Sequence, residues 1–85
     1  DRHLERVYEL QRSSDARASE QAMPESLAVS FGAYLDELVE DPWSATRPAG
    51  VARTGTFGLG GRGVTLVTIH DDTDPPHVLI ERIVY

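Results

Sequence analysis

A glycine-rich run in the second half of the chain is the first candidate for chemistry. Residues 58–63 read Gly-Leu-Gly-Gly-Arg-Gly, and the backbone amides of such a run can cradle a phosphate group. A dinucleotide-binding loop follows a strand and opens a helix, whereas the apolar residues at 64–70 predict another strand here. We therefore interpret the run as a hairpin turn, whose glycines also leave a pliable edge or tip for a partner.

Histidines and aspartates crowd the next turn and form the second candidate. They stand close together in the sequence: His70, Asp71, Asp72, Asp74 and His77. A metal site needs ligands that converge with a set geometry and further hydrogen bonds that orient them. The neighbouring Pro75 and Pro76 instead favour a solvated acidic turn. The sequence therefore predicts no metal site, and nothing in it calls for a cofactor.

Nucleophilic catalysis has little support in the residue types. The chain has no cysteine, which excludes disulfides, thiolate metal sites and cysteine nucleophiles together. Serine, histidine and aspartate all occur, but no spacing places them as a catalytic triad. The absence of cysteine fits a cytoplasmic protein.

The charge balance bears on the kind of partner. The formal net charge is −6, and all eight basic residues are arginine. An acidic domain disfavours non-specific binding to phosphate, although a local patch of arginines could still exist. A basic partner protein is the easier expectation. No apolar run approaches the roughly 20 residues that cross a bilayer, and no charged-then-apolar leader points to export.

Two helices are predicted in the first half of the chain. Ser14 or Asp15 can cap a short helix that ends near Ala22. A longer helix follows Pro24, which is tolerated at a helix start, and ends at Asp41, because the residue before a proline disfavours the helical region. Three- and four-residue spacing gives this helix one apolar stripe for the core. The stripe consists of Leu27, Phe31, Leu35 and Leu38.

The remaining elements are predicted strands. Residues 6–11 alternate apolar and polar side chains, as a half-buried strand does. After a loop at 46–50, three β-rich segments cover residues 51–59, 64–70 and 77–85. Two short turns join these three segments, which makes them an antiparallel meander.

The predicted fold is a single α+β domain covering residues 1–85. Its element order is β-α-α-β-β-β, with a helical hairpin packed on one face of a mainly antiparallel four-stranded sheet. The first strand must join that sheet, since alone it could not bury its apolar side chains. Trp43 is expected to fold back over the end of the long helix as part of the core.

This order of elements resembles the RelE/ParE superfamily of bacterial toxins from toxin–antitoxin modules. The matching features begin with a first strand that ends in a serine-bearing turn, at residues 6–16, and a proline that opens the long helix, at 23–25. The helix closes on Glu-Asp-Pro-Trp at 40–43, and a loop leads to Gly50. Three strands then end with residues 78–85, so the resemblance covers nearly the whole chain.

The resemblance also implies a set of site residues. RelE-like ribonucleases usually carry several arginines or lysines on the second and third strands, where they hold the messenger's phosphates. The match instead puts Phe-Gly-Leu-Gly, residues 57–60, and Thr65 where basic residues are expected. The available substitutes are three arginines for phosphate and one tyrosine for proton transfer: Arg53, Arg62, Arg82 and Tyr85.

Chemistry limits how these residues could work. Cleavage through the 2′-hydroxyl needs a base for its proton and cations to offset charge on the phosphorane. A phenol is mostly protonated at neutral pH, so Tyr85 would need nearby arginines to act as a base. Arg82 is near in sequence, but the two positions differ by an odd number and share a strand face only if a bulge or a twist at the chain end intervenes.

The resemblance implies a function with two alternatives. The first expectation is a type II toxin that inhibits translation by ribosome-dependent mRNA cleavage and is neutralised by a cognate antitoxin. The alternatives are a ParE-like inhibitor of DNA gyrase, which needs no catalytic set, and a catalytically degenerate antitoxin-binding or regulatory module. Antitoxins of this family wrap the toxin, and an acidic toxin suits an antitoxin with a basic segment. The expected partners are thus the antitoxin and either ribosome and mRNA or gyrase, with no membrane.

Overall fold

The computed structural model describes residues 8–85 of the chain. Arg6 and Val7, which belong to the predicted first strand, lie outside the described residues. The helices are α1 (Ser14–Gln21), α2 (Glu25–Glu40) and α3 (Pro42–Ala45). The strands are β1 (Glu9–Arg12), β2 (Arg47–Ala49), β3 (Ala52–Phe57), β4 (Gly63–His70) and β5 (His77–Val84).

The helices begin and end at residues that satisfy free backbone groups. Ser13, one position before the predicted caps, caps α1 by accepting a hydrogen bond from the amide of Ala16 at 3.1 Å. Pro24 stands immediately before α2, and Asp41 ends that helix as the sequence predicted. Asp41 also caps α3, since its side chain accepts from the amide and hydroxyl of Ser44. No helix within residues 8–85 is long and apolar enough to cross a membrane.

The strands form one five-stranded mixed sheet in the order β1-β5-β4-β3-β2. β1 pairs with β5 in parallel, and every other neighbouring pair is antiparallel. The α+β class and the antiparallel meander β3-β4-β5 are confirmed. The sheet has one strand more than the sequence predicted, because β2 lies within the predicted loop at 46–50. All three residues of β2 are exposed, so no alternation of apolar and polar side chains marks it.

A buried polar contact ties the long helix to the middle of the sheet. The Tyr34 hydroxyl of α2 lies 2.6 Å from Thr65 Oγ1 of β4, and Thr65 donates in turn to the carbonyl of Gly55 on β3 at 3.3 Å. Thr65 is fully buried, and Tyr34 is only 4% exposed. A phenol and a hydroxyl in this position would be costly without partners, and here each has one.

Around this contact lies the apolar core between the helices and one face of the sheet. Phe31 and Leu38 of the predicted stripe are buried, and Leu27 and Leu35 pack against them, so the stripe is confirmed as core. The rings of Phe31 and Phe57 lie 4.9 Å apart, within the range of favourable aromatic packing.

The expectation that Trp43 joins the core was wrong. Its side chain is 46% exposed, and its indole N–H donates to Asp71 at the edge of the molecule. Pro42, the residue before it, is the one that α3 buries. A short helix of one turn turns only one side toward the core, and Trp43 lies on the other.

Replacing Gly55 with alanine tests the packing of Tyr34. A Cβ at position 55 would overlap the Tyr34 hydroxyl and lie 2.8 Å from ring carbons. We expect Gly55→Ala to lower the free energy of unfolding by about 1–3 kcal/mol, as overpacked cores do. The matched control is Gly32→Ala inside α2, where a Cβ meets nothing within 4 Å. That variant should raise the free energy of unfolding by up to about 1 kcal/mol, because alanine has a higher helix propensity than glycine. Urea unfolding measures both, and equal stability of the two variants would contradict this packing.

Tyr34 should also make stability depend on alkaline pH. Burial raises the pKa of Tyr34, the hydrogen bond with Thr65 opposes the rise, and Glu37 adds to it. The folded state therefore keeps the phenolic proton where the unfolded chain, with a pKa near 10, has begun to lose it. The contribution of Tyr34 to the free energy of unfolding is complete below about pH 10 and is lost as pH rises through the higher folded pKa. Unfolding measured from pH 8 to 11 should lose stability more steeply in the wild type than in Tyr34→Phe. Parallel curves would refute the effect.

Candidate functional site

The end of β5 brings two of the predicted site residues to α1. Arg82 Nη2 lies 3.7 Å from Asp15 Oδ2, and the Tyr85 hydroxyl donates to the carbonyl of Ser19 at 2.9 Å. The register shifts where β4 passes from Leu66 to Val67, so Glu81 is an extra residue on β5. This bulge precedes Arg82 and leaves the odd spacing between Arg82 and Tyr85 unchanged. The two side chains nevertheless reach the same helix.

Arg62 lies at the same end of the sheet. It follows the short 3₁₀ turn Leu59–Gly61 and leads directly into β4. Val64 pairs with Val84, so Arg62 stands close to the chain end that carries Tyr85. Its side chain is exposed, and no hydrogen bond or ion pair joins it to another residue within 8–85. Arg62, Arg82 and Tyr85 therefore lie at the same end of the sheet, here called the arginine end.

Arg53 lies elsewhere and has its own partners. It pairs with Val67 on β4, four positions from Gly63, which corresponds to roughly 13 Å along the strand. Its guanidinium donates to Thr46 Oγ1 at 2.7 Å and to the carbonyl oxygens of Thr46 and Trp43. It also lies 4.7 Å over the Trp43 ring, a cation–π distance. These contacts fix α3 and β2 against β3 and engage much of the donor capacity of Arg53.

The positions at which the sequence resemblance predicted basic residues have other uses here. Thr65 faces α2 and is fully buried, so a basic side chain at that position would enter the core rather than a binding surface. Gly58, Gly60 and Gly61 all have positive φ, and Leu59–Gly61 forms the turn between β3 and β4. The glycine-rich run is confirmed as a hairpin turn and is followed by a strand.

The acidic turn after β4 does not gather a metal site. Within residues 8–85, no group of three or more histidine, cysteine, aspartate or glutamate side chains could hold a metal ion. His70 and His77 face each other across β4 and β5 with ring centroids 4.5 Å apart. Asp71 accepts hydrogen bonds from the Tyr8 hydroxyl and the Trp43 indole. This aspartate therefore joins the residue before β1, α3 and the turn.

Sequence reasoning missed the contact chain from Arg53 through Trp43 to Asp71. These residues stand 10 and 28 positions apart in the chain, and no local spacing links them. The sequence carried no signal for the exposure of Trp43, since the one-turn helix α3 was not predicted. An exposed tryptophan with fixed contacts is a common feature of binding surfaces.

Comparison with known proteins supports the fold and not a sequence family. No family model matches the chain, and no curated protein is similar to it at a significant level. Among solved structures, the chain is similar to one from the toxin–antitoxin complex RelBE2 of Mycobacterium tuberculosis, with a TM-score of 0.77 and 17% sequence identity. The match covers 93% of this chain and 91% of that one. The chain therefore has the RelE-like fold that the sequence resemblance predicted.

Removing the Arg53 guanidinium should loosen Trp43. Arg53→Gln loses hydrogen bonds to Thr46 and Trp43 together with the cation–π contact, so we expect about 1–2 kcal/mol less stability. Trp43 is the sole tryptophan, and acrylamide should quench its fluorescence more strongly in the variant. The matched control, Arg62→Gln, should stay within about 0.5 kcal/mol of the wild type with unchanged quenching. If the two variants behave alike, Arg53 does not hold this end of the molecule.

Proposed function

We propose that this protein is the toxin of a bacterial type II toxin–antitoxin module and that a cognate antitoxin binds and neutralises it. The observation that carries the proposal is the structural match to the RelBE2 toxin–antitoxin complex, at a TM-score of 0.77 over 93% of the chain. A likeness that extends over 93% of the chain, and not over one motif, makes a shared mode of action the leading hypothesis.

The proposed activity is inhibition of translation by ribosome-dependent cleavage of mRNA. Arg62 and Arg82 would hold phosphate, and Tyr85 would take part in proton transfer to or from the reacting oxygens. The grouping of these three residues at the arginine end supports this assignment. The sequence also nominated Arg53 for phosphate, and its contacts with Thr46 and Trp43 favour a positioning role instead.

Two contacts would have to change during such a reaction. The Tyr85 hydroxyl donates to Ser19, and Arg82 faces Asp15. The side chains of Arg82 and Asp15 are 65% and 73% exposed, so their ion pair is weak and a phosphate can displace the carboxylate at small cost. The Tyr85 side chain is also exposed and can rotate away from α1 when a substrate arrives.

Inhibition of DNA gyrase is the second candidate function. This candidate is favoured because two of the three arginines nominated for phosphate binding already have partners. Arg53 donates to Thr46, and Arg82 faces the carboxylate of Asp15. A gyrase inhibitor acts by binding and needs no catalytic set. The same observation supports a degenerate member that binds an antitoxin and poisons nothing. These candidates predict different first effects in the cell: loss of protein synthesis, stalled gyrase–DNA complexes, or no effect on growth.

Expression of the protein alone in a bacterial host tests the proposal. We expect growth arrest with early loss of protein synthesis. Incorporation of labelled methionine measures protein synthesis, and incorporation of labelled thymidine measures DNA synthesis. The double variant Arg82→Ala with Tyr85→Ala should restore growth and protein synthesis, because each lost catalytic group costs roughly 100-fold or more in rate. The control variant, Arg17→Ala, removes an exposed arginine of α1 and should remain toxic.

Each alternative outcome points to a different function. Arrest that persists in the double variant would rule out the roles of Arg82 and Tyr85. Stalled gyrase–DNA complexes with intact early protein synthesis would replace mRNA cleavage with gyrase inhibition. Normal growth with a folded, soluble product would contradict the toxin proposal and leave the antitoxin-binding module.

A further inference from the structure

An exposed tryptophan is held in place at the end of the sheet away from the arginine end. Trp43 is 46% exposed, yet its indole N–H donates to Asp71 at 3.1 Å and the Arg53 guanidinium lies over its ring. Both contacts restrict the side chain before any partner arrives. A surface that is already ordered loses little conformational entropy on binding.

An open groove of about 370 Å³ adjoins this tryptophan. We call it the Trp43 groove, and the residues that line it and matter here are Trp43, Pro48, Val51, Ile69 and His70. Val51, in the turn between β2 and β3, is fully exposed at the rim. The groove thus offers an indole, a proline ring and a valine side chain, which together form an apolar contact surface.

The turn that follows His70, a residue lining the groove, is acidic. The turn that supplies Asp71 also carries Asp72 and Asp74, and all three residues are exposed. Within residues 8–85, no arginine pairs with Asp72 or Asp74. Arg53 also lines the groove, and its guanidinium is directed toward Thr46 and the Trp43 ring. A phosphate-bearing partner is disfavoured beside this acidic turn, and a basic segment is favoured.

We propose that the Trp43 groove docks a short segment of a partner protein in which an apolar side chain stands next to lysine or arginine. The apolar side chain packs on Trp43 and Val51, and the cation lies beside Asp72 and Asp74. Tryptophan commonly anchors the centre of protein interfaces, and complementary charge at the rim speeds encounter and sets register. Naming the antitoxin as this partner rests on the proposed function, whereas the surface and its chemistry do not.

The tryptophan itself reports binding, because it is the sole one in the chain. The probe is a blocked hexapeptide that alternates leucine and lysine, titrated into the full chain while Trp43 emission is recorded. We expect a saturable change in emission. Peptides with glutamate in place of lysine, or serine in place of leucine, should bind at least about tenfold more weakly. Equal binding of the lysine and glutamate peptides would overturn the proposal.

Surface variants locate the binding without disturbing the core. Asp72→Asn with Asp74→Asn should weaken the leucine–lysine peptide about fivefold or more, and Val51→Asn should also weaken it. The matched control, Glu25→Gln with Asp36→Asn, removes two exposed carboxylates of α2 and should bind as the wild type does. Equal weakening in the control would show a general charge effect and refute the site.

Two further outcomes separate the surface from the toxin function. Competition by a single-stranded oligonucleotide for the groove would replace a basic peptide with nucleic acid as its occupant and overturn the proposal. Growth arrest without any saturable emission change would overturn the surface and leave the toxin proposal standing. Peptide binding without growth arrest would support the surface and contradict the toxin proposal.

Discussion

The hydrogen-bonded contact among Tyr34, Thr65 and Gly55 sets the arrangement of the rest of the molecule. It joins α2 to β4 and β3 inside the core, where a hydroxyl without a partner would cost several kcal/mol. Only glycine at position 55 leaves room for the phenol. The contact therefore fixes how the long helix lies across the sheet, and it decides which strand residues face the helices.

That choice of face explains why this chain lacks cations where the sequence resemblance predicted them. Thr65 is committed to the core, and the odd-numbered positions of β3 that share its face include Gly55 and Phe57. Arg53 also belongs to this set, and it finds hydrogen-bond acceptors on α3 and β2 at the edge of the helical layer. Of the other arginines nominated for the site, Arg82 lies near the end of β5 and Arg62 immediately precedes β4.

Local rules predicted the elements better than their contacts. The stripe from Leu27 to Leu38, together with the prolines at 24 and 42, was enough to define α2, because periodicity and proline act through neighbouring residues. β2 could not be predicted, since three exposed residues join the sheet only through backbone pairing with β3. The partner of Trp43 is also set by the closed fold, which brings Asp71 from 28 residues away. The closed fold likewise sets the contacts of Arg82 with Asp15 and of Tyr85 with Ser19 on α1.

The net charge of −6 conceals two ends with different chemistry. Arg62 leads into β4 and Asp71 follows it directly, so the eight residues of that strand separate the arginine end from the acidic turn by roughly 25 Å. A short segment docked in the Trp43 groove does not span this distance. Its binding alone would leave Arg82 and Tyr85 uncovered. If the protein acts as proposed, a neutralising partner therefore needs a second contact that reaches the arginine end. An extended partner can contact both the Trp43 groove and the arginine end. A single chain can link a basic segment for the groove to a second segment that binds the arginines.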